Sequence, residues 1–360
     1  MSVALGGVFG GMFAAVALAS LAWPAGPAHA ATAVQGAGAS FPALVYERWA
    51  QQFQREHPDV VLSYNPVGSG EGVKQVQARA VHFGGTDVPL SPEQLAAHRL
   101  VQIPMVVGGM VPVVNLPGVA SQALVLDGAT LAALMLGDIR QWNDARIQAL
   151  NPGLRLPELP VQRVVRAEAS GSTEVLTRYL GQALPGFGQR VPPSKQPTWP
   201  GTPWRAQGSD GVSALLRTKV GAIACVPFDR IAKDRLAAVR LKTANGTVAA
   251  SEDSFRAAIL ASDMYRKGDD QASLLAQPAR EAWPITATSF LLLDATPGDL
   301  ARASAVSRFV YWAFMRGDEL TRGTGFAALP PRVQARLAGR LLQIRTPEGG
   351  RPTFMPGEGL

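Results

Sequence analysis

The sequence predicts an α/β fold, in which strands and helices alternate along the chain. Two stretches carry this prediction, because in each an apolar run leads to a cluster of small residues and then to a helical pattern: residues 60–80 and 164–180. A third cluster, residues 208–211, opens another helix. In sheets of this kind ligands bind at the carboxyl ends of the strands, so we expect the site where these clusters meet.

Residues 164–174 form the most informative of these stretches. An apolar strand ends at Val165, Arg166 and Glu168 follow, and small residues then lead to a helix predicted from Glu174. The start of a helix offers unpaired N–H groups and partial positive charge, and arginine adds a planar set of donors suited to an oxyanion. The alternative is an ordinary capped helix with a surface Arg–Glu pair, since Ser and Thr are common caps.

Residues 1–30 carry no Lys, Arg, Asp or Glu and end in an A-x-A pattern at residues 28–30. We therefore predict a cleaved signal peptide over residues 1–30, with Ala31 as the new N-terminus. The alternative is an uncleaved membrane anchor, because the apolar stretch is long enough to span a bilayer. Two prolines before the A-x-A pattern favour the signal peptide, whereas the absence of a basic n-region departs from the usual pattern.

The chain has a formal net charge of +7, 47% hydrophobic residues and a single cysteine. A basic field favours encounter with anions. The basic residues are scattered, without the dense or aromatic-interleaved patch of a nucleic-acid-binding surface. We therefore expect a small anionic ligand and no nucleic acid. With Cys225 as the single cysteine, the chain cannot form an internal disulfide. The apolar residues around Cys225 indicate a small buried hydrophobic residue rather than a reactive thiol.

The other segments continue the alternation. Residues 35–42, with two glycines, predict an open loop before a helix that ends near His57. Residues 83–87 predict a short strand that ends in the carboxylate of Asp87. Residues 101–115, two apolar runs broken by two glycines, predict a strand that crosses between two lobes, and residues 290–293 predict the strand that crosses back.

Taken in order, the motifs resemble those of the periplasmic phosphate-binding protein of bacterial ABC phosphate transporters. The resemblance covers nearly the whole chain after residue 30. The matching motifs are Gly36-Ala37-Gly38-Ala39-Ser40-Phe41-Pro42, Gly68-Ser69, Gly72-Val73-Lys74-Gln75, Thr86-Asp87-Val88-Pro89-Leu90-Ser91, Asn151-Pro152-Gly153, Arg166, Ser170-Gly171-Ser172, Asp210-Gly211, Ala282-Trp283-Pro284-Ile285-Thr286 and Trp312-Ala313.

This resemblance implies a two-lobed type II periplasmic-binding-protein fold that closes over its ligand about a two-stranded hinge. It places lobe I at residues 31–108 plus 288–360 and lobe II at residues 109–287. The implied phosphate contacts are Ser40, the backbone of Phe41, Ser69 and Asp87 in lobe I, and Arg166, Ser170, Gly171 and Ser172 in lobe II.

The resemblance further implies a periplasmic protein that binds inorganic phosphate and works with an inner-membrane ABC permease and its ATPase. A monomer without catalytic residues, metal or cofactor is expected. The family usually has Thr at positions 40 and 172, Asp at position 168 and Gly at position 169, where this chain has Ser, Ser, Glu and Ala. These departures bear on affinity more than on ligand class.

Asp87 is the residue that we expect to determine specificity. An ionised carboxylate only accepts hydrogen bonds, so it can bind the O–H that phosphate keeps at neutral pH and that sulfate lacks. The alternative is that Asp87 only caps a helix that starts near Pro89.

Two other functions remain open: a binding protein for another tetrahedral oxyanion, and an extracellular phosphate-ester hydrolase. The hydrolase needs a base beside its nucleophile. The chain has only four histidines, His29, His57, His82 and His98, and no dense cluster of His, Asp and Glu.

Overall fold

The structure, a computed structural model, describes residues 31–355, and the predicted signal peptide at residues 1–30 lies outside them. The strands are β1 Thr32–Gly38, β2 Val60–Asn65, β3 Phe83–Thr86, β4 Leu100–Asn115, β5 Val125–Asp127, β6 Gln162–Arg166, β7 Trp204–Ala206, β8 Ala222–Pro227, β9 Ala237–Ala238, β10 Arg240–Thr243, β11 Gly246–Val248, β12 Thr286–Asp294 and β13 Phe326–Ala328.

The helices alternate with these strands, so the predicted α/β class is confirmed. They are α1 Ala43–Glu56, α2 Ser69–Gln77, α3 Pro92–Ala97, α4 Gly128–Leu136, α5 Ala145–Leu150, α6 Gly171–Ala183, α7 Phe187–Arg190, α8 Gly208–Thr218, α9 Asp229–Asp234, α10 Glu252–Ala261, α11 Asp263–Arg266, α12 Leu300–Thr321 and α13 Pro331–Ala338, followed by the 3₁₀ helix Gly339–Gln343.

The main sheet has the strand order β2-β1-β3-β12-β4-β8-β6-β7, and β9 and β13 also pair with β4. At one end, β1 runs parallel to both β2 and β3. At the other end, β6 runs parallel to both β7 and β8. The sheet therefore contains two parallel groups of strands, each with its own carboxyl edge, and antiparallel strands join them.

Strand β4 connects these two groups. Its part up to Gly109 pairs with β12, and its part from Met110 pairs with β8. The strand predicted over residues 101–115 is confirmed, and β4 continues through Gly108 and Gly109 over 16 residues, so the glycines interrupt only the apolar run. The two glycines instead make room for aromatic rings, since an added Cβ would collide with Phe326 at Gly108 and with Phe255 at Gly109.

The helices after the small-residue clusters begin earlier than the sequence predicts. The sequence predicts a helix from Glu174, whereas α6 begins at Gly171. Helices α2 and α8 likewise begin within their small-residue clusters, at Ser69 and Gly208. The small polar residues are thus the first turns of these helices rather than loops before them. Their N–H groups therefore lie at helix N-termini, where the positive end of the helix dipole is strongest.

The prediction of an open loop over residues 35–42 is wrong in its first half, because Thr32–Gly38 is strand β1 in the parallel group with β2 and β3. Its glycines serve close packing: a Cβ at Gly36 would overlap the ring of Phe83. At Gly38, where φ is +154°, a Cβ would collide with the backbone of Gly85. The two glycines therefore permit tight strand packing.

Within residues 31–355, no helix combines the length and the apolar character that crossing a membrane requires. The same part of the chain contains no group of three or more His, Cys, Asp or Glu side chains arranged to hold a metal ion.

Candidate oxyanion-binding site

The candidate site lies where the carboxyl ends of both parallel groups meet. Ser40 and Phe41 follow β1 and precede α1, Ser69 begins α2 after β2, and Asp87 follows β3. From the other group, Arg166 ends β6, and α6 and α8 begin nearby. Helix N-termini carry partial positive charge and free N–H donors, so this arrangement favours an anion.

Arg166 is buried at the centre of the site. Its Nε donates to Glu168 Oε1 at 2.6 Å, and its Nη2 also pairs with the Glu168 carboxylate. Nη2 donates to Ser40 Oγ at 2.9 Å, and Nη1 donates to Ser209 Oγ at 3.5 Å. The guanidinium is therefore fixed on one side by a carboxylate and faces hydroxyl groups on the other.

Glu168 links Arg166 to the start of α8. Its carboxylate oxygens accept the N–H of Gly208 at 3.3 and 3.2 Å, in addition to the contacts with Arg166. Glu168 is one methylene longer than the Asp that is usual at this position in the family described above. Its carboxylate nevertheless reaches the arginine. It fixes the orientation of the guanidinium that a bound anion would contact.

Asp87 is buried on the opposite side of the site. Its Oδ2 accepts the hydroxyl of Ser172 at 2.9 Å, while its Oδ1 has no hydrogen-bond partner among the described residues. Burial raises the pKa of the Asp87 carboxyl to about 6, although the Ser172 hydroxyl, the charge of Arg166 and the Ser289 hydroxyl lower it. At pH 7 the group is mostly ionised and can only accept hydrogen bonds.

The alternative role of Asp87 as a helix cap is wrong. Helix α3 begins at Pro92 and is capped by Ser91, whose hydroxyl accepts the N–H of Gln94 in a capping box. The N–H of Asp87 instead donates to Ser69 Oγ at 3.2 Å. The carboxylate of Asp87 is thus available to the site.

The two sides of the site touch directly at the starts of α2 and α6. The N–H of Gly70 donates to the carbonyl of Ala169 at 3.0 Å. A Cβ at Gly171 would overlap Ser69 Oγ and lie 3.0 Å from Asp87 Cβ. Only glycine at position 171 therefore permits this approach of the two helix ends.

Ser170 and Phe41 occupy supporting positions. The hydroxyl of Ser170 caps α6 by accepting the N–H of Thr173 at 3.3 Å, and its own N–H donates to the carbonyl of Lys195 at 2.9 Å. The ring of Phe41 is buried edge-on against Phe326, with centroids 5.0 Å apart. Phe41 therefore contributes its side chain to the core, and the predicted contact of its backbone with the ligand stays a prediction.

Comparison with known proteins identifies the family. The model of the PBP superfamily domain matches residues 25–316. The phosphate-binding protein PstS of Haemophilus influenzae is 35% identical over 308 residues, which cover 85% of this chain and 92% of the relative. PstS of Pasteurella multocida is 34% identical over 304 residues, covering 84% and 88%. The chain belongs to the PstS family.

Among solved structures, a high-affinity periplasmic phosphate-binding protein bound with phosphate at pH 8.5 matches with a TM-score of 0.67. The match covers 91% of this chain and all of that protein at 20% sequence identity. This likeness shows the fold, the two-lobed periplasmic-binding-protein architecture expected for a PstS family member.

The structure adds two side chains that the sequence interpretation missed. Ser209, in the first turn of α8, is buried and has its hydroxyl 3.2 Å from Ser40 Oγ. Lys195 is half-buried near Asp87: burial lowers the pKa of its ammonium, while the charges of Glu174 and Asp87 raise it. The small-residue cluster at residues 209–211 could have indicated Ser209, because it resembles the clusters that open the other helices of the site. The irregular stretch around Lys195 has no pattern that would have indicated Lys195.

The histidines of the described range have other surroundings. His57 and His98 follow the ends of α1 and α3, and His82 Nδ1 accepts the N–H of Gln35 at 2.9 Å. These contacts give the hydrolase alternative no histidine base at the site.

Proposed function

We propose that this protein binds inorganic phosphate in the periplasm and delivers it to an ABC-type phosphate importer. The PstS relatives are named phosphate-binding proteins, and this supports phosphate as the ligand. The predicted contacts Ser40, Phe41, Ser69, Asp87, Arg166, Ser170, Gly171 and Ser172 form the proposed site. An inner-membrane permease and its ATPase are the proposed partners, because a binding protein of an importer must hand its ligand on.

The observation that carries the proposal is a buried carboxylate among anion donors. Asp87 Oδ1 has no partner among the described residues, yet it lies across from Arg166 and the start of α6. A buried acceptor without a donor costs free energy. A protonated oxygen of phosphate supplies that donor, whereas a fully ionised oxyanion would place negative charge against the carboxylate. The arrangement therefore fits phosphate better than sulfate.

The remaining oxygens of phosphate would meet donors. Arg166 presents Nη1 and Nη2 toward the hydroxyls of Ser40 and Ser209, contacts that an oxyanion would take over. Charge-assisted contacts to a guanidinium are short and strong. The N-termini of α2, α6 and α8 add backbone N–H groups and partial positive charge.

We further propose that the lobes are residues 31–108 plus 288–360 and residues 109–287, and that they close on phosphate about β4 and the start of β12. The contacts that support this assignment join the two segments across the site: Arg166 with Ser40, Ser172 with Asp87, and Ala169 with Gly70.

Calorimetry tests the ligand assignment. The full chain should be expressed with residues 1–30, purified from the periplasmic fraction and titrated with phosphate and, separately, with sulfate. We expect one phosphate per chain and weak or no sulfate binding. Equal affinity for the two anions at neutral pH would contradict the phosphate assignment.

The same preparation tests the location and the absence of catalysis. N-terminal sequencing should find Ala31 at the start of the exported chain, which supports the predicted cleavage. A chromogenic phosphate ester should remain intact when it is incubated with the protein. Turnover that disappears in a Ser172→Ala variant would instead favour the hydrolase.

A further inference from the structure

Ser289 in strand β12 lies beside Asp87 and is 0% exposed. Strands β3 and β12 are antiparallel, and the pair of Thr86 with Phe290 is the last that joins them at this end. The next residue is Asp87 on one side and Ser289 on the other. Residues that face each other across antiparallel strands have Cβ atoms about 4.5–5.5 Å apart, so their side chains interact.

A β-bulge lies next to Ser289 on the other side of β12. Ser289 pairs with Val106 and Phe290 pairs with Pro104, so Met105 is an extra residue of β4 between the two pairs. Bulges bend the strand pair, re-aim side chains and are common beside functional sites. The irregularity of the sheet thus coincides with the residue that adjoins the carboxylate of the candidate site.

Tyr46 in α1 supplies a second hydroxyl, which contacts Ser289. Its Oη lies 3.3 Å from Ser289 Oγ, and its side chain is 1% exposed. Burial raises the pKa of the Tyr46 phenol well above its ordinary value, so the phenol keeps its proton. An ionised Asp87 only accepts hydrogen bonds. These neighbours favour a Ser289 hydroxyl that accepts from Tyr46 and donates to Asp87.

We propose that Ser289 is a positioning residue for phosphate recognition: held by Tyr46, its hydroxyl donates to Asp87 and keeps that carboxylate ionised and oriented as an acceptor. This role rests on the proposed phosphate function, in which Asp87 accepts the O–H of the ligand. A carboxylate offers about four acceptor positions. The hydroxyls of Ser172 and Ser289 take two of them, so positions remain for phosphate.

The expected consequence of this role is selectivity. A protonated Asp87 donates to sulfate as well as to phosphate, so every loss of ionisation weakens the discrimination between the two anions. Ser289→Ala removes a donor that favours the ionised form. The pKa of Asp87, which lies at about 6, should therefore rise in this variant.

An NMR titration of the Asp87 carboxyl carbon measures this effect without any ligand. The full chain, purified from the periplasmic fraction with isotope-labelled aspartate, is dialysed free of phosphate, and Asp87→Asn identifies the resonance. Ser289→Ala should raise the titration midpoint by roughly 0.7 pH unit, the equivalent of one hydrogen bond. Tyr46→Phe should raise it less, because Ser289 remains but loses the partner that directs its proton. Ser289→Thr keeps the hydroxyl and should restore the parent midpoint.

The matched control is Thr288→Val. Thr288 is the neighbouring residue of β12, is buried, and has an Oγ1 without a hydrogen-bond partner among the described residues. Successive side chains of a strand point to opposite faces, so this hydroxyl is directed away from that of Ser289. The midpoint of Asp87 in Thr288→Val should equal that of the parent chain.

The comparison of variants also accounts for the other charges around Asp87. Ionisable groups from several elements of the described chain interact electrostatically with it: Arg166, Lys195, Tyr46 and Tyr64. All of them are present in the parent, in Ser289→Ala and in Thr288→Val. The difference between these three titrations therefore reports the serine hydroxyl alone.

Sulfate binding gives a second readout, because sulfate carries no proton of its own at neutral pH. A midpoint raised by this amount increases the protonated fraction of Asp87 at pH 7 from about one tenth to about one third. Sulfate affinity measured by calorimetry at pH 7 should therefore rise about threefold in Ser289→Ala. Thr288→Val should bind sulfate as the parent does.

The outcomes separate this role from the proposed function. An equal midpoint in Ser289→Ala and the parent overturns the role, as does an equal rise in Thr288→Val or a Ser289→Thr midpoint that matches Ser289→Ala. If Ser289→Ala does not fold, an unchanged midpoint in Tyr46→Phe overturns it. These results leave phosphate binding by the parent chain intact. Expected midpoints in a chain that binds no phosphate would instead support the contact of Ser289 with Asp87 and overturn the proposed function.

Discussion

Arg166 and Asp87 lie in the same buried site, but their surroundings differ. The guanidinium of Arg166 pairs with Glu168 and contacts the hydroxyls of Ser40 and Ser209. The carboxylate of Asp87 accepts the hydroxyl of Ser172 and lies near that of Ser289, while its Oδ1 has no hydrogen-bond partner among the described residues. The cationic side is thus already satisfied, whereas the acidic side still needs a donor.

This difference separates two tasks. A guanidinium held by Glu168 loses little freedom when an anion arrives, so it supplies attraction to any oxyanion. The unpaired oxygen of Asp87 discriminates among oxyanions, because only a ligand with an O–H satisfies it. Affinity should therefore depend most on Arg166, and selectivity most on Asp87.

Asp87→Asn tests the selective side and should give the largest effect. We expect the parent chain to prefer phosphate over sulfate by roughly 10⁴-fold, the scale reached when a site requires a hydrogen that an analogue lacks. The amide of Asn can donate to sulfate, so this ratio should fall by orders of magnitude in competitive calorimetry. Ser91→Ala, which alters the cap of α3 instead, should leave the ratio unchanged. An unaltered ratio in Asp87→Asn would remove Asp87 from the recognition mechanism.

Arg166→Ala tests the attractive side. Removing one partner of a buried charge-assisted contact costs on the order of 2–5 kcal/mol of binding, and Glu168 would be left without its cation. Phosphate and sulfate should weaken together, because this side does not discriminate. Arg146→Ala is the control, since Arg146 is exposed and pairs with Asp144 at 2.8 Å. Circular dichroism should report an intact fold, and unchanged phosphate affinity would reject the site.

The pH dependence of sulfate binding in the parent chain tests the assigned role of Asp87, with Asp87→Asn as its control. The pKa of Asp87 lies at about 6, because burial raises it, so the group gains a proton as the pH falls through that value. Between pH 7 and pH 5 the protonated fraction rises from roughly one tenth to nine tenths. A neutral carboxyl can donate to sulfate, so sulfate affinity should rise about tenfold on acidification. Asp87→Asn should lack this rise, and a flat profile in the parent chain would contradict the assignment.

Much of the site could be predicted from the sequence because its residues follow recognisable strands. Arg166 ends an apolar strand and Asp87 follows a short one, so both were expected at a carboxyl edge of the sheet. The family resemblance supplied the positions of Ser40, Ser69 and Ser172. The structure brings these side chains together through contacts that join distant parts of the chain.

The remaining features depend on tertiary packing that has no local pattern. Strand β1 was missed because its glycines suggest a loop, whereas they accommodate Phe83 and Gly85. Ser209 was missed because the strand before it, Trp204–Ala206, has only three residues and lies at the edge of the sheet. Its role follows from the packing of α8 against Arg166 and Ser40, contacts that sequence spacing does not show.

Ser209→Ala tests this side chain and should give the smallest effect. The hydroxyl lies 3.2 Å from Ser40 Oγ and 3.5 Å from Arg166 Nη1, so it either orients these groups or contacts phosphate itself. Loss of one hydrogen bond costs about 1 kcal/mol, which corresponds to about a fivefold weaker phosphate affinity. Ser213→Ala is a matched control one turn further along α8, because Ser213 is buried and its hydroxyl has no partner in the described range. Since Ser209 belongs to the attractive side, the ratio of phosphate to sulfate affinity should not change in either variant. If Ser209→Ala altered that ratio as Asp87→Asn does, the two sides of the site would not have separate tasks.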